Sequence, residues 1–177
     1  MAHMEKLITS NEIYQGRIIR ITNDTVELEN GKTAHREVVH HHGGAAIIPM
    51  NQQREIYMVR QFRYPFGREL LEIPAGKLES GEAPLPAAIR ELEEECGLTA
   101  DHFQELFPIY PSVGYDTEVI YLYLATGLHQ THVHPDEDEF LDLECYPLDT
   151  LVSMIQKGEI RDAKTVAGIL KVKTMLS

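Results

Sequence analysis

The sequence predicts an α/β protein with an antiparallel β element at its N-terminus, on three observations. Between Glu12 and Val39 polar and apolar residues alternate, with Asn30-Gly31 between two of the runs; Asn-Gly flanked by alternation is a strong hairpin signal. Gly44 to Pro49 and Ile56 to Phe62 are apolar runs of strand length joined by a polar turn, Met50 to Glu55. Beyond Ala83 the period lengthens: Leu85, Ala88, Ile89, Leu92 and Cys96 recur at three- and four-residue spacing, which makes one apolar face of a helix.

Taken in order, residues 1–4 (Met1 to Met4) resemble an expression remnant and are set aside. Residues 5–42 form the N-terminal β element, with strands expected over Arg17 to Ile21, Thr25 to Leu28 and His35 to Val39. So few strands cannot cover Ile18, Ile19, Ile21, Val26, Leu28, Val38 and Val39 locally. They are expected to pack on the rest of the chain or on a second copy. His40, His41 and His42 alternate sides on a strand, so they do not converge on one ion. Residues 43–177 form the main domain. There Glu69 to Pro74 is a strand leading into a glycine-containing loop at Gly76, and the helix follows. Pro84 and Pro86 stand where a first turn tolerates proline, and Gly97 stands where a helix ends in left-handed backbone. Gln104 to Tyr110, Thr117 to Ala125 and Leu141 to Pro147 are further strands. Asp149 is expected to cap a helix ending at Gly158, and Asp162 a final helix carrying Val166, Ile169, Leu170 and Leu176.

The helix carries more acid than an ordinary surface needs. Glu91, Glu94 and Glu95 fall on an arc away from the apolar stripe, and carboxylates three and four residues apart repel one another with no lysine on that arc. A hard divalent cation takes such oxygen ligands together with water and substrate phosphates, so the helix reads as half of a metal site. Arg90, beside Glu94, is placed to orient a carboxylate. Arg60, Arg63 and Arg68 cluster just upstream in an acidic chain, and Arg63, at a strand end beside the loop, is the best candidate for a charge-assisted bond to phosphate.

Composition narrows the class of function. The 177 residues are 43% apolar, enough for a substantial core, and the formal charge of −12 disfavours a protein that grips nucleic acid by its phosphates. No run approaches the roughly 18 apolar residues of a membrane span, and no signal-peptide core is visible, so a cytoplasmic protein is expected. Cys96 and Cys145 have neither zinc spacing nor a disulfide framework, and both are expected in the core.

Gly76, Glu82, Arg90, Glu91, Leu92, Glu94, Glu95, Gly97 and Leu98, at their fixed gaps, resemble a complete Nudix box. Val59 to Arg63 followed by Leu70 to Glu79 is similar to the ADP-ribose pyrophosphatase branch of that family. The resemblance implies an α/β Nudix fold, a mixed β-sheet sandwiched between α-helices, and makes residues 43–177 a Nudix hydrolase domain. It implies hydrolysis of the diphosphate of ADP-ribose or a related nucleoside diphosphate sugar, with two or more Mg²⁺ ions, or Mn²⁺, held by Glu91, Glu94, Glu95, Glu139 and the Ala75 carbonyl. Glu82 would contribute from the loop and Arg63 would contact the diphosphate. Arg36 and Glu37 would hold adenine across a homodimer interface of exchanged N-terminal strands, and Gly114 and Glu118 would lie near the terminal ribose. The general base stays open among Glu94, Glu95, Glu137 and Glu139. Where the branch has Ser-Pro-Gly, this chain has Ser112, Val113 and Gly114, which widens the expected substrates to other nucleoside diphosphate sugars; another pyrophosphohydrolase activity on the same scaffold, on a nucleoside triphosphate, a dinucleotide or a different nucleotide sugar, is an alternative. A non-catalytic ADP-ribose sensor is the remaining alternative. The intact box and the absence of a basic helix argue against it.

Overall fold

Asn30-Gly31 turns the chain as expected: Gly31 has φ 77° and the Leu28 amide donates to the Lys32 carbonyl at 2.8 Å. The computed structural model describes residues 3–131 and 140–177, and within them two compact units form, one from residues up to Gly43 with Tyr110–Val119 and one from Gly44–Ile109 with Ile120–Ser177.

The first unit is a three-stranded antiparallel sheet in the order β1 (Lys6–Gln15), β2 (Ile19–Glu27), β3 (Thr33–His41). Two expected strands are here one. Asn23 and Asp24 do not break β2, because they pair with Asn11 and Ser10 of β1, and the Ser10 hydroxyl donates to Asp24 at 2.5 Å. The apolar residues of β1 come in adjacent pairs, Leu7-Ile8 and Ile13-Tyr14, which hides the strand from any period-two argument. Tyr110–Val119 closes the unit from a distant part of the chain: the Val39 amide donates to the Tyr115 carbonyl at 2.7 Å and the Thr117 amide to the Val39 carbonyl at 2.9 Å. His40 faces Thr22, whereas His41 Nδ1 accepts from the Gly43 amide, so the adjacent histidines do point apart.

In the second unit β4 (Gly44–Pro49) is buried at every residue, as a strand covered on both faces must be. Ala46 and Ile48 face a cluster with Leu148, Leu151, Ile169 and Val172, while Ala45 and Ile47 face one with Ala87, Ala88 and Leu92. Helix α1 (Pro84–Cys96) therefore covers one side and α2 (Leu148–Gln156) with α3 (Ala163–Met175) the other. One sheet runs β7 (Ala75–Lys77), β4, β9 (Ile120–Gln130), β8 (Leu98–Ile109), with β4 and β9 parallel and the other pairs antiparallel. The other runs β10 (Leu141–Pro147), β5 (Glu55–Arg63), β6 (Arg68–Glu72). This is the predicted mixed α/β sandwich.

Three local expectations are corrected. The buried face of α1 is Ala87, Ala88, Glu91, Leu92, Glu95 and Cys96, while Leu85 and Ile89 are exposed. Small alanines let the helix approach β4 closely, and that rotation turns two glutamates inward. Cys145 is exposed, because β10 is an edge strand with a sheet neighbour on one side only. Pro147 rather than Asp149 precedes α2, whose helix stops at Gln156, and Asp149 lies in its first turn.

Asp162 does cap α3, accepting from the Thr165 amide at 3.0 Å. The Thr165 hydroxyl also donates to Asp162 at 2.6 Å and accepts from the Ile73 amide at 2.9 Å, so one buried side chain ties the helix start to the strand end beside the Ala75–Gly76 loop. Thr165→Val leaves that amide buried and unpaired. It is expected to lower the unfolding free energy by about 1–3 kcal/mol, and Thr165→Ser to cost much less, as read from urea midpoints.

Candidate active site

The site begins with a close approach of backbone to side chain. β7 pairs with β4, Gly76 opposite Ala45, and a Cβ built on Gly76 would lie 1.7 Å from Glu91 Oε1. Only glycine leaves room for that carboxylate. The neighbouring Ala75 amide donates to Glu95 Oε2 at 3.0 Å. Glu91 and Glu95 are 6% and 3% exposed, so both carboxylates lie in the low-dielectric space between helix and loop.

Arg90 gathers the rest. Its Nη1 donates to Glu91 Oε1 at 2.6 Å and Glu94 Oε2 at 2.9 Å, while Nε and Nη2 reach the two oxygens of Glu82, each at 3.2 Å. Glu82 is itself fixed in the loop by the Glu79 amide at 2.9 Å. The hydrogen bonds to Arg90 and Glu79 hold its carboxyl below the usual range. The Glu82 bond, joined by the Glu91 charge and the Glu94 bond, holds Arg90 firmly protonated. Glu82, Glu91, Glu94 and Glu95 against Arg90 leave a formal excess of three negative charges within a few residues of the loop.

Among the described residues no three Asp, Glu, His or Cys side chains converge closely enough to enclose an ion, since Glu82, Glu91 and Glu94 turn to Arg90 and Glu95 accepts from the Ala75 amide. The donor chemistry nonetheless fits a hard divalent cation: buried carboxylate oxygens on successive turns, with the backbone of Ala75 and Gly76 against them. Glu91, Glu94, Glu95 and the Ala75 carbonyl are the groups that could hold one.

Arg63 ends β5 and is half-buried. Its Nε and Nη2 donate to Glu72 at 2.7 and 2.9 Å, a bidentate fork, and the Glu95 charge also acts on it. Glu72, 2% exposed, takes a further bond from Lys164 Nζ, which also donates to Asp162 at 3.0 Å. Sequence reasoning did not single out Glu72 or Lys164. The one signal was an acid inside the apolar run Leu70 to Pro74. Arg60 is committed elsewhere, to Glu144 across the β5–β10 pair.

Of the remaining site expectations, Arg36, Glu37 and Gly114 line one cavity of about 650 Å³ in the N-terminal unit, with Ile13, Asn23, His35 and Tyr115 among its walls. Arg36 there pairs with Glu5, Nε donating at 2.9 Å. Glu118 lies in the same unit, 3.4 Å from His41 Nδ1. Glu137 and Glu139 lie outside the described residues.

A family model described as NUDIX domain matches residues 40–169, across the whole loop and helix just described. The chain belongs to the Nudix family. A second model, described as nucleoside diphosphate sugar hydrolase N-terminal domain, matches residues 5–39 of this Nudix protein. The chain is 42% identical over 93% of its length to a methanol dehydrogenase activator of Bacillus methanolicus, and 40% identical over 93% to an ADP-ribose pyrophosphatase of Bacillus subtilis (strain 168), covering 90% of each. A GDP-mannose pyrophosphatase of Enterobacter sp. (strain 638) is 30% identical over 90% of both chains. The fold matches a crystal structure of an ADP compounds hydrolase, TM-score 0.86 at 20% identity, over 97% of this chain and 94% of that one. The Nudix chain is a hydrolase by these relationships, and its family generally employs divalent metal ions.

Two predictions follow from the geometry. Gly76→Ala drives a methyl group into Glu91 and is expected to cut kcat by at least ~100-fold, with an unchanged circular dichroism spectrum, because a displaced carboxylate cannot keep its bonding geometry. The second concerns acid stability. Burial pushes the Glu72 carboxyl up, but the Arg63 fork and the Lys164 charge outweigh it and hold it below its ordinary 4.5. Such a group stabilises the fold above its unfolded value and loses that contribution as pH falls through its folded value. Glu72→Gln is therefore expected to lower stability at neutral pH and to flatten the acid limb below about 4.5, measured by urea unfolding against pH.

Proposed function

We propose that this protein hydrolyses the diphosphate of a nucleoside diphosphate sugar, with ADP-ribose as the leading substrate: water adds at one phosphorus, the bridging P–O bond breaks, and AMP and ribose 5-phosphate leave. The observation that carries this reading is the gathering of Glu82, Glu91, Glu94 and Glu95 around Arg90 and the Ala75–Gly76 backbone. The names of the Bacillus subtilis and Mycobacterium tuberculosis relatives support it, the latter 36% identical over 96% of this chain.

Bound Mg²⁺ or Mn²⁺, in two or more ions, would polarise a phosphoryl oxygen and acidify water. Arg90 keeps Glu91 and Glu94 oriented, and the Ala75 amide fixes Glu95. Arg63 offers its Nη1 edge, without a partner among the described residues, to the diphosphate. The proton of the attacking water goes to a glutamate, with Glu94, Glu95, Glu137 and Glu139 as the candidates. Arg36 and Glu37 would hold the base, and Gly114 and Glu118 the distal sugar. A neighbouring substrate class is favoured by Val113, exposed where the branch has proline, and by the GDP-mannose pyrophosphatase relatives.

The same proposal assigns residues 5–42 to dimerisation. All ten residues of β1 are exposed, and Leu7, Ile8, Ile13 and Tyr14 are each at least half exposed, a long apolar edge of the kind that pairs with another chain. A cytoplasmic location belongs to the reading as well; among the described residues no helix is long and apolar enough to cross a membrane.

Product analysis with ADP-ribose, ADP-mannose, GDP-mannose and ATP tests the proposal. AMP and ribose 5-phosphate are expected from ADP-ribose with Mg²⁺, loss of activity with EDTA, and at least ~1000-fold loss in Glu95→Gln. Sedimentation is expected to give twice the chain mass. An intact ADP-ribose pool beside rapid turnover of ATP would reject the substrate, and full activity of Glu95→Gln would reject the site.

A further inference from the structure

We infer that Glu72 and Lys164 are positioning residues for anion binding: buried Glu72 grips one edge of the Arg63 guanidinium, Lys164 anchors Glu72, and the other edge of Arg63 is thereby held ready for a diphosphate. The inference rests on Arg63 being the diphosphate ligand of the proposed function.

Arg63 is the last residue of β5, followed by an exposed turn in which Tyr64 and Phe66 are bare to solvent. The bidentate bonds from Nε and Nη2 fix both the plane and the direction of the guanidinium, which a single contact does not. The fork leaves Nη1 uncommitted among the described residues, on a cation that feels the charge of Glu95 in the metal-site helix.

Glu72 can hold this pose only if it is itself immobile and does not cancel the cation it orients. Lys164 answers both needs. It is 8% exposed, donates to Glu72 and Asp162 together, and comes from the first turn of α3, far along the chain. Asp162 is pinned in turn by the Thr165 amide and hydroxyl. Arg63, Glu72, Lys164 and Asp162 form a neutral tetrad joining β5, β6 and the start of α3. With Lys164 present, Glu72 is bonded to two cations and the whole group is neutral, so the outward edge of Arg63 meets an incoming anion without net repulsion behind it. Without it Arg63 stands against Glu72 and Asp162 together, a net negative charge that opposes an anion. None of the carboxylates or Lys164 needs to touch substrate.

The test is a double-mutant cycle of Arg63→Ala and Glu72→Gln, with Lys164→Met and Lys164→Arg alongside. It is read by ADP affinity in calorimetry and by kcat and KM on whichever nucleotide sugar the wild type cleaves. Glu72→Gln is expected to weaken ADP and raise KM about tenfold while kcat moves less than about threefold, and to add nothing once Arg63 is alanine. Lys164→Met is expected to follow Glu72→Gln, and Lys164→Arg to restore much of the affinity. Should Glu72→Gln not fold, Glu72→Asp, which keeps the charge but shortens the reach, enters the same cycle. Equal losses from the Glu72 change with and without Arg63, or a fall in melting temperature with unchanged ADP affinity, would make the tetrad scaffold alone. ADP binding undiminished in Arg63→Ala would remove the ligand and the inference with it. A wild type that binds ADP but cleaves no nucleotide sugar overturns the proposed function instead, and the affinity cycle still decides the positioning.

Discussion

Like charge held close together at low dielectric is the constraint on which the rest of this structure depends. Glu91 and Glu95 are buried on the side of α1 that an ordinary amphipathic helix would give to leucine. Bringing carboxylates out of water is costly unless each is hydrogen-bonded and compensated. Part of that compensation is one guanidinium shared by three acids, together with one backbone amide. The alanines at 87 and 88, the glycine at 76 and the covered strand β4 all serve the same end, which is to bring helix and loop near enough for those few donors to reach.

The second unit answers the need for rigidity on two scales. Apolar clusters on both faces of β4 fix the layers. Finer control comes from polar contacts that cross long stretches of chain: Thr165 to the Ile73 amide and Lys164 to Glu72. Both bonds attach α3 to the strand that delivers the Gly76 loop. The C-terminal helix, which reads as scaffold, is thus the back wall against which the loop and Arg63 are set.

Much of this was legible in the sequence wherever a requirement is local. Gly97 ends α1 at φ 61°, Asn30-Gly31 turns β2 into β3, and Asp162 caps α3, because each position asks something of its own backbone that few residues can give. The box spacing placed Glu82, Glu91, Glu94 and Glu95 in one locality for the same reason: helix and loop are contiguous. What could not be read was decided between distant segments. The inward turn of Glu91 and Glu95 depends on β4 and β7, the exposure of Cys145 on its strand lying at a sheet edge, and β1 on partners in β2 that its own composition does not advertise. The Glu72–Lys164 bond joins residues with no shared local pattern at all.

The first unit is assembled from two pieces of chain, and the second piece, Tyr110–Val119, is made only after the entire loop and helix of the Nudix box. On a ribosome the N-terminal sheet emerges first but must wait, with Val39 unpaired, until the polypeptide has grown past Thr117 to supply its closing bonds. Vectorial synthesis therefore cannot finish the two units one after the other. An incomplete β-sheet persists until Tyr110–Val119 has been made, and during that interval the exposed Leu7, Ile8, Ile13 and Tyr14 of β1 leave the nascent chain open to pairing with the wrong neighbour.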